Sequence, residues 1–521
     1  MARLSTATRH APNGMVCSVD HLASSAGCRM LAAGGSAADA AVAAAAVLAV
    51  TTPYQCGMGG DLFALVHTGD GPPAALDASG HAGSGVDADG LRSEGWQQMP
   101  RRKDLRSVTV PGCVDGWMAL HDRFGHLPRD QVLGPALAYA REGFRADTIL
   151  AAVVPFADDV EGIPEWDRPG GLAAGDHVTL PRLARALEAV VADGRRGFYE
   201  GEFGRGLVAI GNGLFSDADL ARSQADWVEP LGLRVFGHDV WTTPPASQGY
   251  LTLGSAWIAE GLPLPRDPEE DAWAHLLVES ARQAGHDRLD VLHDRADGGA
   301  LLAPERLAPR RSAIDSERAG TLPVPGRAGG TVFLCAVDGD RMGVSLIQSN
   351  AEDFGIHVVE PGTGVFLHNR GMGFSLVPGH PAELGPGRRP PHTLAPGLVT
   401  RGDGSLRALV GTMGGDSQPQ IVLQLLARLL HGGDSPGRAV SAPRWMLALA
   451  GGGSFDTWDA HGEVVVCLER GAPWAAGLER RGHRLELRPP GFGHAHVIEV
   501  GDDEVRGASD PRAENGAAIG L

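Results

Sequence analysis

One stretch constrains this chain more than any other: Gly329-Gly330-Thr331-Val332-Phe333-Leu334-Cys335-Ala336-Val337-Asp338. Two glycines run into a threonine, an apolar run follows, and Asp338-Gly339-Asp340 marks a turn. Val344-Ser345-Leu346-Ile347-Gln348-Ser349-Asn350 comes next. Two strand-like segments on either side of a turn signal predict a β-hairpin, with Thr331 opening its first strand. If the Gly330–Thr331 bond were cut, Thr331 would carry both a hydroxyl and a free α-amine. The ordinary pKa of such an amine is about 7.7–8.0. A useful fraction is therefore neutral near pH 7 and can accept the proton of its own hydroxyl. That is the threonine form of an activated nucleophile. Gly-Gly-Thr before an apolar run also suits an ordinary loop entering a strand, so the catalytic reading depends on the rest of the chain.

At 521 residues and 43% hydrophobic, the chain has ample material for a large core and for two to four domains. Its net charge of −18 disfavours nucleic acid and anionic lipid, which require basic patches. The six cysteines (Cys17, Cys28, Cys56, Cys113, Cys335, Cys467) show no CxxC spacing, so they suggest neither a zinc site nor a disulfide framework. No apolar run follows Met1-Ala2-Arg3, and the longest one, Ala37 to Val50, is interrupted by Asp39. It falls short of the ~20 residues of a membrane span. These features predict a soluble cytoplasmic protein with no membrane partner.

Taken in order, Asp20 is positioned to cap a helix that stops at Gly34-Gly35, and Ser36 or Asp39 to open an Ala-rich helix to Val50. Gly57-Met58-Gly59-Gly60 precedes the strand Leu62–Val66; no Lys-Ser/Thr follows, so close backbone approach fits better than phosphate binding. Helical patterns run from Val110 to Phe144 and from Trp273 to Arg288. Residues Pro304–Gly330 read as an exposed, mobile linker. Beyond Thr331 the pattern turns strand-rich. His494 and His496 lie at i, i+2, but no third ligand is near in sequence, so no metal site is read and no cofactor is expected.

The chain resembles the γ-glutamyltransferase (glutathione hydrolase) family of N-terminal-nucleophile hydrolases. The resemblance rests on seven pieces in one order: Gly34-Gly35-Ser36-Ala37-Ala38-Asp39, Gly57-Met58-Gly59-Gly60-Asp61, Val110-Pro111-Gly112, Pro244-Pro245-Ala246-Ser247-Gln248-Gly249, the Thr331 stretch, Gly411-Thr412-Met413-Gly414-Gly415, and Ala508-Ser509-Asp510-Pro511-Arg512. It implies a four-layer αββα sandwich. It also implies a precursor that cuts itself at Gly330–Thr331 into a large chain (1–330) and a small chain (331–521). Thr331 would be the nucleophile, with the backbone amides of Gly414 and Gly415 holding the oxyanion. Asn350 matches a substrate-contacting residue, and Gln348, or its neighbour Ser349, matches a residue that supports the nucleophile.

The recognition residues depart from the family pattern. Ser79 stands where glutamyl enzymes place an Arg for the substrate carboxylate, and Gly373 where they place an Asp for its ammonium. His392 and Thr393 stand in place of a paired Ser-Ser. Arg370 and His392 are candidates to hold a different, anionic acyl group. The resemblance therefore implies an amidohydrolase or acylase of small, non-glutamyl acidic amides, with water or an amine as acceptor. A true γ-glutamyl hydrolase or transpeptidase and a non-catalytic scaffold are the alternatives. Homo-oligomerisation is left open.

Overall fold

The computed structural model describes residues 5–157, 160, 171–322, 330–450 and 463–521. Two seven-stranded antiparallel sheets form its centre. Edge to edge, one carries Ala517–Gly520, Met15–Ser18, Gly330–Val337, Gly343–Ala351, Asp61–His67, Ala74–Ala78 and Asp226–Val228. The other carries Arg9–Ala11, Val505–Ser509, Ala495–Val500, Leu406–Thr412, Gly397–Thr400, His238–Thr242 and Leu231–Val235. The expected hairpin forms: Val332 pairs with Gln348 and Val337 with Gly343, and the register shifts between Gly330 and Val332.

The period of two along each strand separates two cores. Phe333, Cys335, Val337, Ile347 and Phe63 meet Leu398, Leu409, Ile498 and Val500 of the opposing sheet. The alternate residues Val332, Leu334, Ala336, Val344 and Leu346 pack instead on the helices His21–Ala32, Ala37–Thr51 and Cys113–Phe124. On the far side, Val240, Val399, Ala408, Val410 and Val497 pack on Tyr250–Glu260, Asp271–Gly285 and Gln418–Leu426. The molecule is thus an αββα sandwich, the architecture expected.

The helix Ala37–Thr51 is buried along its whole length, which only small side chains allow between a sheet and neighbouring helices. Ser36 and Asp39 start it together: Ser36 Oγ accepts the Asp39 amide while Asp39 Oδ2 accepts the Ser36 amide. Asp20 caps His21–Ala32 through the Leu22 amide at 2.8 Å. Of the stretch read as a linker, Pro304–Ser312 is instead a helix, and residues 323–329 lie outside those described. Pro304 at the first turn presets the helical φ, and Arg310 and Arg311 suit the carbonyl end. No helix is long and apolar enough to cross a membrane among the described residues.

The motif Ala508–Arg512 fastens a third, three-stranded sheet to this centre. Arg444 beside that sheet's strand Trp445–Leu449 donates to Asp510 at 2.6 Å. Arg512 donates to Glu469, on the neighbouring strand Val464–Glu469, at 2.7 Å. The Ala495 amide reaches the same Asp510 carboxylate at 2.8 Å. Each buried charge meets an opposite one, which offsets the cost of removing it from water.

Candidate active site

Thr331 is buried at the head of its strand and, by alternation, on the face between the sheets. Its hydroxyl donates to Ser349 Oγ at 3.1 Å, and Ser349 Oγ also accepts the Ala351 amide at 2.8 Å. Ser349 pairs across the next ladder with Asp61. Thr331, Ser349 and Asp61 therefore form a polar row across three adjacent strands, at about 4.8 Å per strand.

The Asp61 carboxylate is saturated. It accepts the Gly80 amide at 2.9 Å, the Gly112 amide at 3.3 Å and His392 Nε2–H at 3.1 Å, with His368 Nδ1 at 3.7 Å. Burial opposes its charge, but the imidazoles of His368 and His392 and the Gly80 amide outweigh that and hold its pKa at about 2. His392 is pushed down to about 4, chiefly by burial against the pull of Asp61. Its Nδ1 accepts the Leu394 amide at 3.3 Å, and its ring meets Phe63 edge-on at 4.9 Å. Both ring nitrogens of His392 are thus engaged within the protein.

The two loops over this row are joined to it by hydrogen bonds. The Asn369 amide donates to the Asn350 carbonyl at 3.3 Å. Arg370 follows, and its Nη1 donates to Thr393 Oγ1 at 3.2 Å. Gln248 then bridges two turns, donating to the Thr393 carbonyl at 2.8 Å and the Gly415 carbonyl at 3.0 Å. Hydrogen bonds and chain neighbours thus link Thr331, Ser349, Asn350, Asn369, Arg370, Thr393, Gln248 and Gly415 in one continuous path. Gly414 and Gly415 have φ of 132° and 52°, a pair that other residues rarely adopt. The turn is fixed through its carbonyls: Ser417 donates its amide and hydroxyl to Gly414 O.

Three expected site residues lie differently. Gln348 faces the helices: its Nε2 donates to Ala45 O at 2.9 Å, and its Oε1 accepts Trp117 Nε1–H at 3.1 Å. The register puts Ser349, not Gln348, beside Thr331. Ser79 gives its hydroxyl to Asp77, and its carbonyl accepts from Arg389 at 2.8 Å, so it is occupied. Asn350 turns its amide to the Pro53 carbonyl at 3.1 Å, bracing the Gly57–Gly60 turn, and its Oδ1 has no hydrogen-bond partner among the described residues. That turn must be glycine at Gly60, where a Cβ would lie 2.3 Å from Ser349 O.

Gly373 lies under Arg370. A Cβ there would lie 2.7 Å from Pro391 O and 3.2 Å from Arg370 Nη2, so the guanidinium fills the space a longer side chain would need. Asp61, His368 and Gln248 carry much of the geometry and went unassigned in the sequence. Asp61 and Gln248 do fall inside the motifs that carried the resemblance.

The gamma-glutamyltranspeptidase family model matches residues 23–520. The oxamate amidohydrolase proenzyme of Klebsiella pneumoniae subsp. pneumoniae is 33% identical over 98% of this chain and 98% of its own. The glutathione hydrolase-like YwrD proenzyme of Bacillus subtilis is 33% identical, covering 97% and 98%. The crystal structure of a cephalosporin acylase from Bacillus halodurans superposes with a TM-score of 0.90 at 32% identity, over 99% of this chain and 97% of that one. With the family model spanning nearly the whole sequence and the sandwich shared with a solved acylase, this chain belongs to the gamma-glutamyltranspeptidase family of N-terminal-nucleophile amide hydrolases.

Proposed function

We propose that the chain cuts itself before Thr331 and then hydrolyses a small amide whose acyl group carries its own carboxylate. The observation that carries this reading is the pairing of Thr331 with Ser349 at the head of a buried polar row, linked through Asn350 and Asn369 to an arginine that reaches a hydroxyl.

In the first step Thr331 Oγ1 attacks the Gly330 carbonyl carbon. The C–N bond breaks, an ester to Thr331 forms, and the released nitrogen takes the proton. Water opens the ester, leaving a carboxylate on Gly330 and a free amine on Thr331. The residues before and after the cut become the large and small chains.

The same hydroxyl then attacks the substrate amide, with its own amine as base and Ser349 fixing its direction. The Gly414-Gly415 turn supplies amides for the oxyanion, an arrangement worth a few kcal/mol of barrier, roughly 10²–10³ in rate. The leaving amine takes the proton, and water releases the acid from the acyl-enzyme.

Arg370 and Thr393 bind the distal carboxylate, with Arg370 as a charge-assisted donor. His392, held by Asp61, positions Thr393 rather than touching the ligand. A γ-glutamyl ammonium would face the Arg370 guanidinium, and that repulsion argues for a substrate without an amine. The 33% identical oxamate amidohydrolase supports a short dicarboxylic monoamide. Mass spectrometry should find a new N-terminus at Thr331. Turnover of oxamate- and glutaryl-type amides should exceed that of γ-glutamyl anilide. An intact chain, or preference for the γ-glutamyl compound, would overturn this reading.

A further inference from the structure

A second buried cluster of polar side chains plays no part in this chemistry. His275 and Glu279 lie four residues apart on the helix Asp271–Gly285 and so share a face. His483 reaches them from the turn between the short helix Ala475–Arg480 and the strand Leu485–Arg488. All three are buried. One ligand atom from each lies within 4.8 Å of the others, the one such group of three among the described residues.

With both rings neutral, the hydrogen bonds assign the protons as follows. His275 Nε2–H donates to the Asp315 carbonyl at 2.9 Å, which leaves Nδ1 with its lone pair. His483 Nε2–H must then donate to that Nδ1 at 2.8 Å. His483 Nδ1 is left a bare acceptor, facing another acceptor, Glu279 Oε1, at 4.0 Å. Neither atom has a hydrogen-bond partner among the described residues. Arg282 Nε forms a buried ion pair with Glu279 Oε1 at 3.4 Å. His275 Nδ1 and His483 Nε2 thus share one proton beside the Glu279 carboxylate, and a cation in its place would take one lone pair from each ring.

We propose that His275, Glu279 and His483 bind one divalent transition-metal ion, with zinc the best match. Two imidazoles and one carboxylate are the donor set zinc favours over magnesium or calcium. Tetrahedral Zn–N bonds of about 2.05 Å set ligand atoms about 3.3 Å apart, within a small side-chain adjustment of this cluster. The supporting contacts are already built: His275 is oriented by the Asp315 carbonyl, and Glu279 Oε2 by the Gly320 amide at 3.0 Å. Coordination replaces the proton shared by the rings and leaves the fourth position to water. The charge of Arg282 works against the ion. Its other anchor, the Leu322 carbonyl at 3.0 Å, holds the guanidinium when the Glu279 contact yields.

The placement gives the ion a role. His275 and Glu279 precede Thr331 and His483 follows it, so the metal clasps the end of the large chain to the small one. The clasp rests on cleavage at Gly330–Thr331; the binding site does not.

The test uses full-length protein stripped with chelator, exposed to Zn²⁺, gel-filtered and analysed by elemental mass spectrometry. One zinc per chain is expected, in the wild type and equally in uncut Thr331→Ala, with the equivalent lost in His483→Gln. Reconstitution with Co²⁺ should give the visible bands of a four-coordinate site, a readout that needs no variant. Substoichiometric zinc in the wild type, zinc retained by a folded His483→Gln, or a Co²⁺ protein without visible bands would overturn the proposal.

Discussion

Gln348 and Ser349 are neighbours in sequence and lie on opposite sides of one sheet. Gln348 sits among Ala45, Cys56, Cys113 and Trp117, with its amide oxygen and nitrogen both satisfied. Ser349 sits between the sheets and touches Thr331. The helix-side face of the hairpin is a closed structural network, whereas the inter-sheet face ends in a polar row that leads to Arg370 and Thr393. Burial is equally complete on both, so burial alone does not mark the site. What separates them is the company kept: Gln348 meets partners that saturate it, while the Thr331 hydroxyl meets the single hydroxyl of Ser349.

Substitutions should split along the same line, those between the sheets changing rates and those on the helix side changing stability. The largest effect should come from Thr331→Ala, which removes the hydroxyl proposed to attack. No second N-terminus should be seen, and turnover should fall by at least about a thousandfold. Thr331→Ser, which keeps the hydroxyl, should restore both in part. Arg370→Ala should raise KM for a dicarboxylic monoamide by roughly 10–100-fold, the worth of a charge-assisted hydrogen bond, with little change in Tm. An unchanged KM would remove Arg370 from recognition.

Gln348→Leu should do the reverse. It strands the buried Trp117 N–H, lowering stability by about 1–3 kcal/mol in denaturant titration while kcat/KM of the folded protein stays near wild type. Ser349→Ala should lower kcat by about fivefold, one ordinary hydrogen bond, without a matching loss of stability. If Gln348→Leu depressed kcat more than Ser349→Ala did, the division between the faces would fail.

The smallest effect concerns pH. His392 has its pKa pushed below the ordinary value of about 6.5, to about 4, so the unfolded chain binds the proton first as pH falls. Its contribution to stability is complete above pH 6.5 and fades as pH drops toward 4. A Tm profile of His392→Gln should be flatter than wild type across that window. Asp61 behaves likewise at lower pH: its contribution fades as pH falls from about 4 toward its folded value of about 2.

Much of this was readable in the sequence because the signals were local. The glycines, the Asp-Gly-Asp turn and the apolar run gave the hairpin, and Asp20 and Ser36 gave two helix starts that the structure keeps. What was not readable is register. Val344–Ile347 is buried on both faces, so no alternation of polar and apolar residues reveals which side faces Thr331. The shift between Gly330 and Val332 alters the count at the position that matters. The engagement of Ser79 and His392 was hidden for a related reason. Their distant partners, Arg389 for one and Asp61 for the other, come together only when the loops fold over the sheet. The Pro304–Ser312 helix was missed because proline and arginine were weighed as loop formers, when their positions suit helix ends.

Each of the two large sheets interleaves strands from both sides of residue 331. Gly330–Val337 lies between Met15–Ser18 and Gly343–Ala351, and Gly397–Thr400 lies between His238–Thr242 and Leu406–Thr412. A scission in such a weave touches the ladders only at the Gly330–Ala351 pair beside the cut. Maturation should therefore pass unnoticed in gel filtration and circular dichroism, and the two fragments should travel as one particle until a denaturant parts them. Either fragment made alone would expose unpaired strand edges along its length, so the weave also explains why a protein of this design is made as one polypeptide and divided afterwards.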